Sequence, residues 1–303
     1  MRTRLTLCLL AMLAMLAMMF LPACAGEKET GKPTTAATTT QPAAEKNVTV
    51  EKTAGGDLTI QPINRSSVRF EFKGKQFYVD PSGDADWDHM PKADYIFVSH
   101  EHGDHMDLQA ISRILQDHTA IYTSRAGMEA YMKAENKPMG HPFRLIAVGE
   151  TKKLVMAEGK EDGDPKKPVM VAWEVNDRNR STFPPIDITV EAVPAYNISE
   201  GKLNFHPKDR KDNGYVLTFA DKRVYIACDT EATPEMKALK NIDIAFLPCD
   251  PRYTMSVEEA VEAAKILNPK IFYPYHQGPS DPAEAKKLLA DEENIEVRVF
   301  ALP

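Results

Sequence analysis

The chain has 303 residues, of which 43% are apolar, 27% charged and 8% aromatic, a globular mixture long enough for one large core or two modest ones. That composition excludes a disulfide-stapled mini-protein, a collagen-like repeat and a wholly disordered acidic chain. Lys and Arg number 37 against 44 Asp and Glu, a formal charge of −7, and an acidic balance with no basic stripe argues against nucleic acid as the main partner.

In chain order, Arg2 and Arg4 precede an apolar run from Leu5 to Leu21 built almost entirely of Leu, Ala and Met. A basic start, a short apolar stretch and small residues at its end describe a secretory signal over residues 1–23. The run closes on Leu21-Pro22-Ala23-Cys24, which resembles the lipobox of bacterial lipoproteins. The resemblance implies cleavage before Cys24, acylation of its thiol, and an extracytoplasmic protein lipid-anchored to a bacterial membrane, since several acyl chains hold where one holds poorly. An uncleaved anchor and a plain secreted protein are the alternatives. Without residues 1–23 the chain keeps 35 basic and 44 acidic residues, a net −9. Residues 24–46 are rich in Thr, Ala and Pro and have no apolar period; a segment that buries so little cannot offset its ordering entropy, so a flexible tether is expected. The folded domain is expected over residues 47–303. Of the cysteines, Cys8 leaves with the signal and Cys24 is acylated. Cys228 and Cys249 end apolar runs, where a free Cys packs as a small hydrophobe; sequence cannot supply the geometry that a disulfide between them would need.

Short β-type runs open the domain. Leu58 to Ile60 comes first; Val68, Phe70 and Phe72 then alternate with polar residues, turn at Gly74-Lys75, and return through Phe77 to Val79 as a hairpin. Asp94 to Ser99 encloses Tyr-Ile-Phe-Val, a continuous apolar run expected of a strand buried on both faces. Leu108, Ile111, Ile114 and Leu115 follow at helical spacing, then a strand at Ala120 to Thr123 and a helix capped by Ser124 through Lys133. Residues 155–185 are rich in Lys, Asp, Gly and Pro and read as an inserted excursion with a strand at Val169 to Val175. Strands resume at Ile186–Val193, Gly214–Phe219, Arg223–Ala227 and Ile244–Leu247. Ser256 caps a helix carrying Val257, Ala260, Val261, Ala264 and Leu267. A strand at Ile271–Tyr273, a helix from Pro282 and a closing strand at Ile295–Phe300 complete the order. Two runs of strands, each followed by helices, predict a layered α/β body.

The stretch that carries chemistry is Val98-Ser99-His100-Glu101-His102-Gly103-Asp104-His105. Three His and an Asp within six residues, directly after a buried strand, are too many polar groups to leave without partners. Imidazole with carboxylate is a ligand set suited to Zn, and also to Fe or Mn.

His100-x-His102-x-Asp104-His105 resembles the His-x-His-x-Asp-His motif of the metallo-β-lactamase superfamily. Asp80 after Val79, Asp229 after Ala227-Cys228 and His276 after Tyr273-Pro274-Tyr275 agree with that family in order along the chain. The resemblance covers roughly residues 58–300 and is nearest to the branch of ascorbate-6-phosphate lactonase and the N-acyl phosphatidylethanolamine phospholipase D type. It implies a four-layer αββα sandwich with two metal ions, zinc first among the candidates, at the edge between the sheets. Carried over, His100 and His102 hold the first ion, Asp104, His105 and His276 the second, and Asp229 bridges. A metal-bound hydroxide would attack an ester, lactone or phosphodiester in a small-molecule or lipid-like substrate, with Asp104 steering the nucleophile or moving its proton. His102 stands where oxygen-reducing flavodiiron relatives have Glu, which favours hydrolysis over redox chemistry. The family's third His for the first ion is replaced by Asn197, leaving either Asn197 or His206 to complete that group. A metal-bearing binding or sensory lipoprotein with little turnover is the alternative reading, consistent with Asn197. Asp80 is expected to support the metal loop through hydrogen bonds. Tyr253 and Trp87 are candidate substrate contacts. Lys208, Arg210 and Lys211 form either a basic lid or a solvated run, and Asp84, Asp86 and Asp88 a solvated acidic loop.

Overall fold

Two runs of alternating apolar residues become two sheets. The computed structural model describes residues 47–83, 85–160, 168–174 and 185–302; the signal, the tether, Cys24 and Asp84 lie outside them. Among the described residues, β1 (Thr49–Thr53), β2 (Gly56–Pro62), β3 (Val68–Phe72), β4 (Lys75–Val79), β5 (Tyr95–Val98), β6 (Ala120–Thr123) and β7 (Phe143–Leu145) form one sheet in chain order. The second contains β8 (Thr151–Lys160), β9 (Pro168–Glu174), β10 (Pro185–Ala195), β11 (Asp212–Phe219), β12 (Lys222–Ile226), β13 (Ile244–Pro248), β14 (Ile271–Tyr275) and β15 (Glu296–Val297), with spatial order β15-β14-β13-β12-β11-β10-β8-β9. Each sheet starts antiparallel and ends parallel, from β4 to β7 and from β12 to β15. Parallel neighbours need crossovers. Helices α1 (Leu108–Ile114), α2 (Arg125–Lys133), α3 (Pro234–Ala238), α4 (Val257–Leu267) and α5 (Glu284–Leu288) supply all but the one from β4 to β5, which is a loop over residues 80–94.

The period-2 pattern sorts side chains into layers. Phe70, Phe77 and Phe97 of the first sheet and Leu217, Phe219, Phe246 and Tyr273 of the second share one core between the sheets, where Phe70 and Phe219 meet at 5.6 Å and Phe97 and Tyr215 at 5.5 Å. The intervening residues face outward: Ile96, Val98 and Ile121 pack with α1, and Tyr225, Ala245 and Leu247 with α4. The result is the four-layer αββα sandwich. Asp107, Ser124 and Ser256 cap α1, α2 and α4, and Ser256 forms a reciprocal capping box with Glu259.

The structure adds elements that no sequence period marks. β1 is an edge strand of mixed exposure containing Lys and Glu, and β7 buries only Phe143 of its three residues. The stretch read as an excursion contributes β9 and most of β8, which pair antiparallel at the edge of the second sheet. The closing strand is shortened to Glu296–Val297. Cys228 and Cys249 are buried free thiols. No helix among the described residues is long and apolar enough to cross a membrane.

Candidate metal centre

Every residue of the centre lies at or beyond a strand end along one edge of the sandwich. After β5 the chain turns sharply, with the His105 and Met106 amides donating to the His102 carbonyl at 2.9 and 2.8 Å, and Asp107 then caps α1. Asp80, Cys228 and His276 follow β4, β12 and β14 in left-handed conformations, with φ of 50°, 57° and 49°. A non-glycine residue there costs roughly 1–3 kcal/mol, and each is pinned by its amide. Asp80 donates to Phe97 O at 2.9 Å and His276 to Arg65 O at 3.0 Å, while Cys228 donates to the Tyr275 hydroxyl at 2.8 Å.

The functional side chains form two groups whose ligand atoms lie within 4.8 Å of one another inside each group: His100, His102, His206 and Asp229, and Asp104, His105 and His276. His100 Nε2 faces His102 Nδ1 at 3.0 Å, and His105 Nε2 faces His276 Nε2 at 3.1 Å. Asp229 stands between the groups. Its Oδ2 is 3.2 Å from His206 Nε2, and its Oδ1 is 3.4 Å from both His105 Nε2 and His276 Nε2. The outer nitrogens of His100, His105 and His206 have partners of their own, while His276 Nδ1 is buried without one. Ser99 Oγ donates to Asp80 at 2.7 Å and receives His100 Nδ1 at 2.9 Å; His105 Nδ1 donates to Asp80 Oδ2 at 2.8 Å; His206 Nδ1 faces Asp212 Oδ2 at 3.4 Å. Such outer partners select the tautomer that leaves the inner nitrogen's lone pair free.

Burial, with His105 and His206 nearby, holds His100 and His102 below the usual imidazole range. Burial also acts to lower His105 and His206, but carboxylates outweigh it: Asp229 and Asp80 raise His105, and Asp212 and Asp229 raise His206. Asp229 and Asp104 are fully ionised despite desolvation, Asp229 through His276 and His105, Asp104 through a hydrogen bond with His276 and the charge of His105. The residues fit divalent cations. Imidazole nitrogens and carboxylate oxygens converge, and Asp229 Oδ1 is buried with no hydrogen bond of its own. His100, His102, His206 and Asp229 Oδ2 could hold one ion; Asp104, His105, His276 and Asp229 Oδ1 could hold its neighbour.

A family profile described as the beta-lactamase superfamily domain matches residues 70–277, a span that begins in β3 and closes just after His276. The chain belongs to the beta-lactamase superfamily. Similar superfamily proteins include a UPF0173 protein of Pyrococcus abyssi, 29% identical over 207 residues covering 68% of this chain and 77% of that protein. A UPF0173 metal-dependent hydrolase of Enterococcus faecalis is 29% identical over 191 residues, 60% of this chain and 67% of that protein. The crystal structure of a Parabacteroides distasonis protein with a provisional metal-dependent hydrolase name is 36% identical, covers 85% of this chain and all of its own, and superposes with a TM-score of 0.68. Igni18, a metallo hydrolase of Ignicoccus hospitalis, shares the fold at 20% identity, covering 80% of this chain and 94% of its own with a TM-score of 0.57.

Two readings of this superfamily member change with the structure. His206 supplies the third imidazole of the first group, while the Asn197 side-chain NH2 donates to Lys202 O at 3.1 Å and to Tyr253 O at 2.7 Å, its Oδ1 is buried without a hydrogen bond, and its backbone N–H binds His206 O at 2.8 Å. Asn197 therefore braces the loop that delivers His206. Trp87 is a core residue and not a pocket wall: it is 4% exposed, packs on Tyr78, and donates its indole N–H to Gly83 O at 2.9 Å. Tyr253 lies beside the His206 loop, its ring edge-on to Phe205 at 4.9 Å with Arg252 over its face. Lys208 and Arg210 are engaged in pairs, Lys208 with Glu235 at 3.0 Å and Arg210 with Glu101 at 2.9 Å. Asp86 binds His89 and Asp88 pairs with Arg113. Asp212 and Ser99 carry no sequence signal, because an Asp opening a strand after a charged run and a Ser at a strand end have no periodic signature.

Proposed function

We propose that this metal-dependent hydrolase opens an ester, lactone or phosphodiester bond of a small or lipid-like substrate at a two-ion centre built from the two ligand groups. The observation that carries this reading is the division of Asp229, one oxygen turned to each group. Bound divalent ions supply Lewis acidity there, polarising a substrate oxygen and bringing the pKa of a water towards neutrality. The chain's own residues do the rest. His100 and His102, held neutral, present lone pairs in place of protons. Asp104, whose side chain is 47% exposed, is the one carboxylate of the set open to solvent, and in its ionised form it accepts a proton from an attacking water and orients it.

The imidazole-rich set favours zinc, with manganese or iron as substitutes. His102, and the resemblance to the ascorbate-6-phosphate lactonase and phospholipase D type branch, support hydrolysis over redox chemistry. Asn197 was the support for a binding or sensory protein with little turnover, and with His206 turned to Asp229 that support is gone. A panel of phosphodiester, lactone and carboxyl ester substrates with added zinc or manganese tests the reading. Turnover is expected, to be abolished by chelation and lost in Asp104→Ala and His105→Ala; activity that survives both substitutions overturns the mechanism. The lipobox-like sequence supports a lipid anchor at Cys24 and an extracytoplasmic location. Cys24→Ser is then expected to move the protein from the membrane fraction to the soluble one, and an unchanged distribution refutes the anchor.

A further inference from the structure

The two halves of the first ligand group come from different sheets. His100 and His102 sit on the turn after β5, whereas His206 arrives on the irregular segment between β10 and β11. A ligand on such a segment has no strand ladder to fix it, so something else must hold it opposite its partners. Arg210 touches both halves. Its Nη2 donates to Glu101 Oε2 at 2.9 Å, on the residue between His100 and His102, and its Nη1 lies 3.1 Å from His102 Nε2. On the other side its Nε lies 3.2 Å from Asp212 Oδ2, the oxygen that faces His206 Nδ1, and Nη1 also reaches Phe205 O at 3.3 Å. One guanidinium thus ties Glu101, His102, Asp212 and the backbone next to His206 together. Its charge is matched by two carboxylates, so it adds no net repulsion towards a cation.

The second group is fastened by other residues. Asp80 orients His105, Ser66 and Ser82 hold the Asp104 carbonyl, and Arg65 O receives the His276 amide. None of these side chains contacts Arg210 in the bonds described.

Building on the metal-centre reading above, we infer that Arg210 is a positioning residue for the first ion. By joining the β5 turn to the His206 segment it sets the affinity of His100, His102, His206 and Asp229 for a divalent cation, and it leaves the second group unaffected. A planar fork is required, because the contacts leave the guanidinium in several directions at once and an ammonium offers a single point.

The test uses metal-free protein titrated with cobalt(II), followed by calorimetry and visible absorption. Wild type is expected to take up two equivalents. In Arg210→Ala one equivalent weakens by about 10–100-fold, the usual effect of losing a group that orients a ligand, and its share of the cobalt absorption fades while the other equivalent keeps its affinity. Glu101→Gln weakens the same equivalent, and Arg210→Lys, which keeps the charge without the fork, falls between Arg210→Ala and wild type. Two equivalents bound by Arg210→Ala with wild-type affinities overturn the inference, and so does an equal weakening of both. Should Arg210→Ala fail to fold, judged by circular dichroism of the metal-free form, Arg210→Lys and Glu101→Gln carry the same two outcomes. Wild type that binds no cobalt or zinc removes the metal reading itself, a result distinct from two sites that ignore Arg210.

Discussion

Seven imidazole and carboxylate side chains can share one small volume only if their protons are arranged, and the environment of each imidazole sets how. Burial and the neighbouring imidazoles hold His100 and His102 below the usual imidazole range, whereas His105 and His206 each lie between two Asp side chains and are driven above it. A cation that enters must displace those protons. Apparent zinc affinity is therefore expected to rise as pH increases above the ordinary imidazole range, as those raised groups lose their protons, and to fall on acidification. Zinc titrations in buffers of different ionisation enthalpy check this: proton release on binding is expected, and binding that is independent of pH contradicts the assignment of charge to His105 and His206. Asn197 shows how little a single position reveals alone. It occupies the place where the family has a ligand, yet its side-chain NH2 is turned to Lys202 O and Tyr253 O, and the imidazole comes from nine residues later.

At the scale of elements, the centre depends on how strands end. Asp80, Cys228 and His276 leave their strands through left-handed turns, which swing the functional side chains off the sheet and towards the gap between the two sheets. The end of β14 needs a further allowance at Gly278. Its φ is 51°, and a Cβ there would come within 2.0 Å of Asp250 Oδ2, the carboxylate oxygen that pairs with Arg65 Nη2 at 3.0 Å. Gly278→Ala is therefore expected to lower stability by about 2 kcal/mol or more, from left-handed strain plus a displaced buried carboxylate. A urea unfolding midpoint unchanged from wild type would show that the β14 turn adapts without loss. Such positions were hard to read beforehand, because a strand's interior has a period and its end has none.

For the whole molecule, the centre lies where two sheets meet. His100, His102, Asp104 and His105 come from the first sheet; His206, Asp229 and His276 come from the second. Direct bonds already link them near the site, Tyr215 Oη to Val98 O at 2.7 Å and the Asn213 amide to Ser99 O at 3.1 Å. Bound cations would add a second link that exists only in the folded state. Free cation at 100 times its dissociation constant is then expected to stabilise the fold by about 2.7 kcal/mol per site, several degrees of melting temperature for a domain of this size. Melting curves with zinc and with excess chelator measure the difference. Coincident curves would mean that ions do not bridge the sheets.

The metal motif, its placement after a buried strand and the alternation that sorts residues into layers were legible in the chain, because each is a local pattern: ligands within six residues, or apolar side chains every second position. Asp229 and His276 were legible only through the family resemblance, which they match in their order behind strands. The choice of His206 over Asn197, the burial of Trp87 and the joining of Arg210 to both Glu101 and Asp212 were not. Each depends on how closely two sheets approach and how a loop crosses between them, and distances of that kind arise only when segments far apart in sequence pack together.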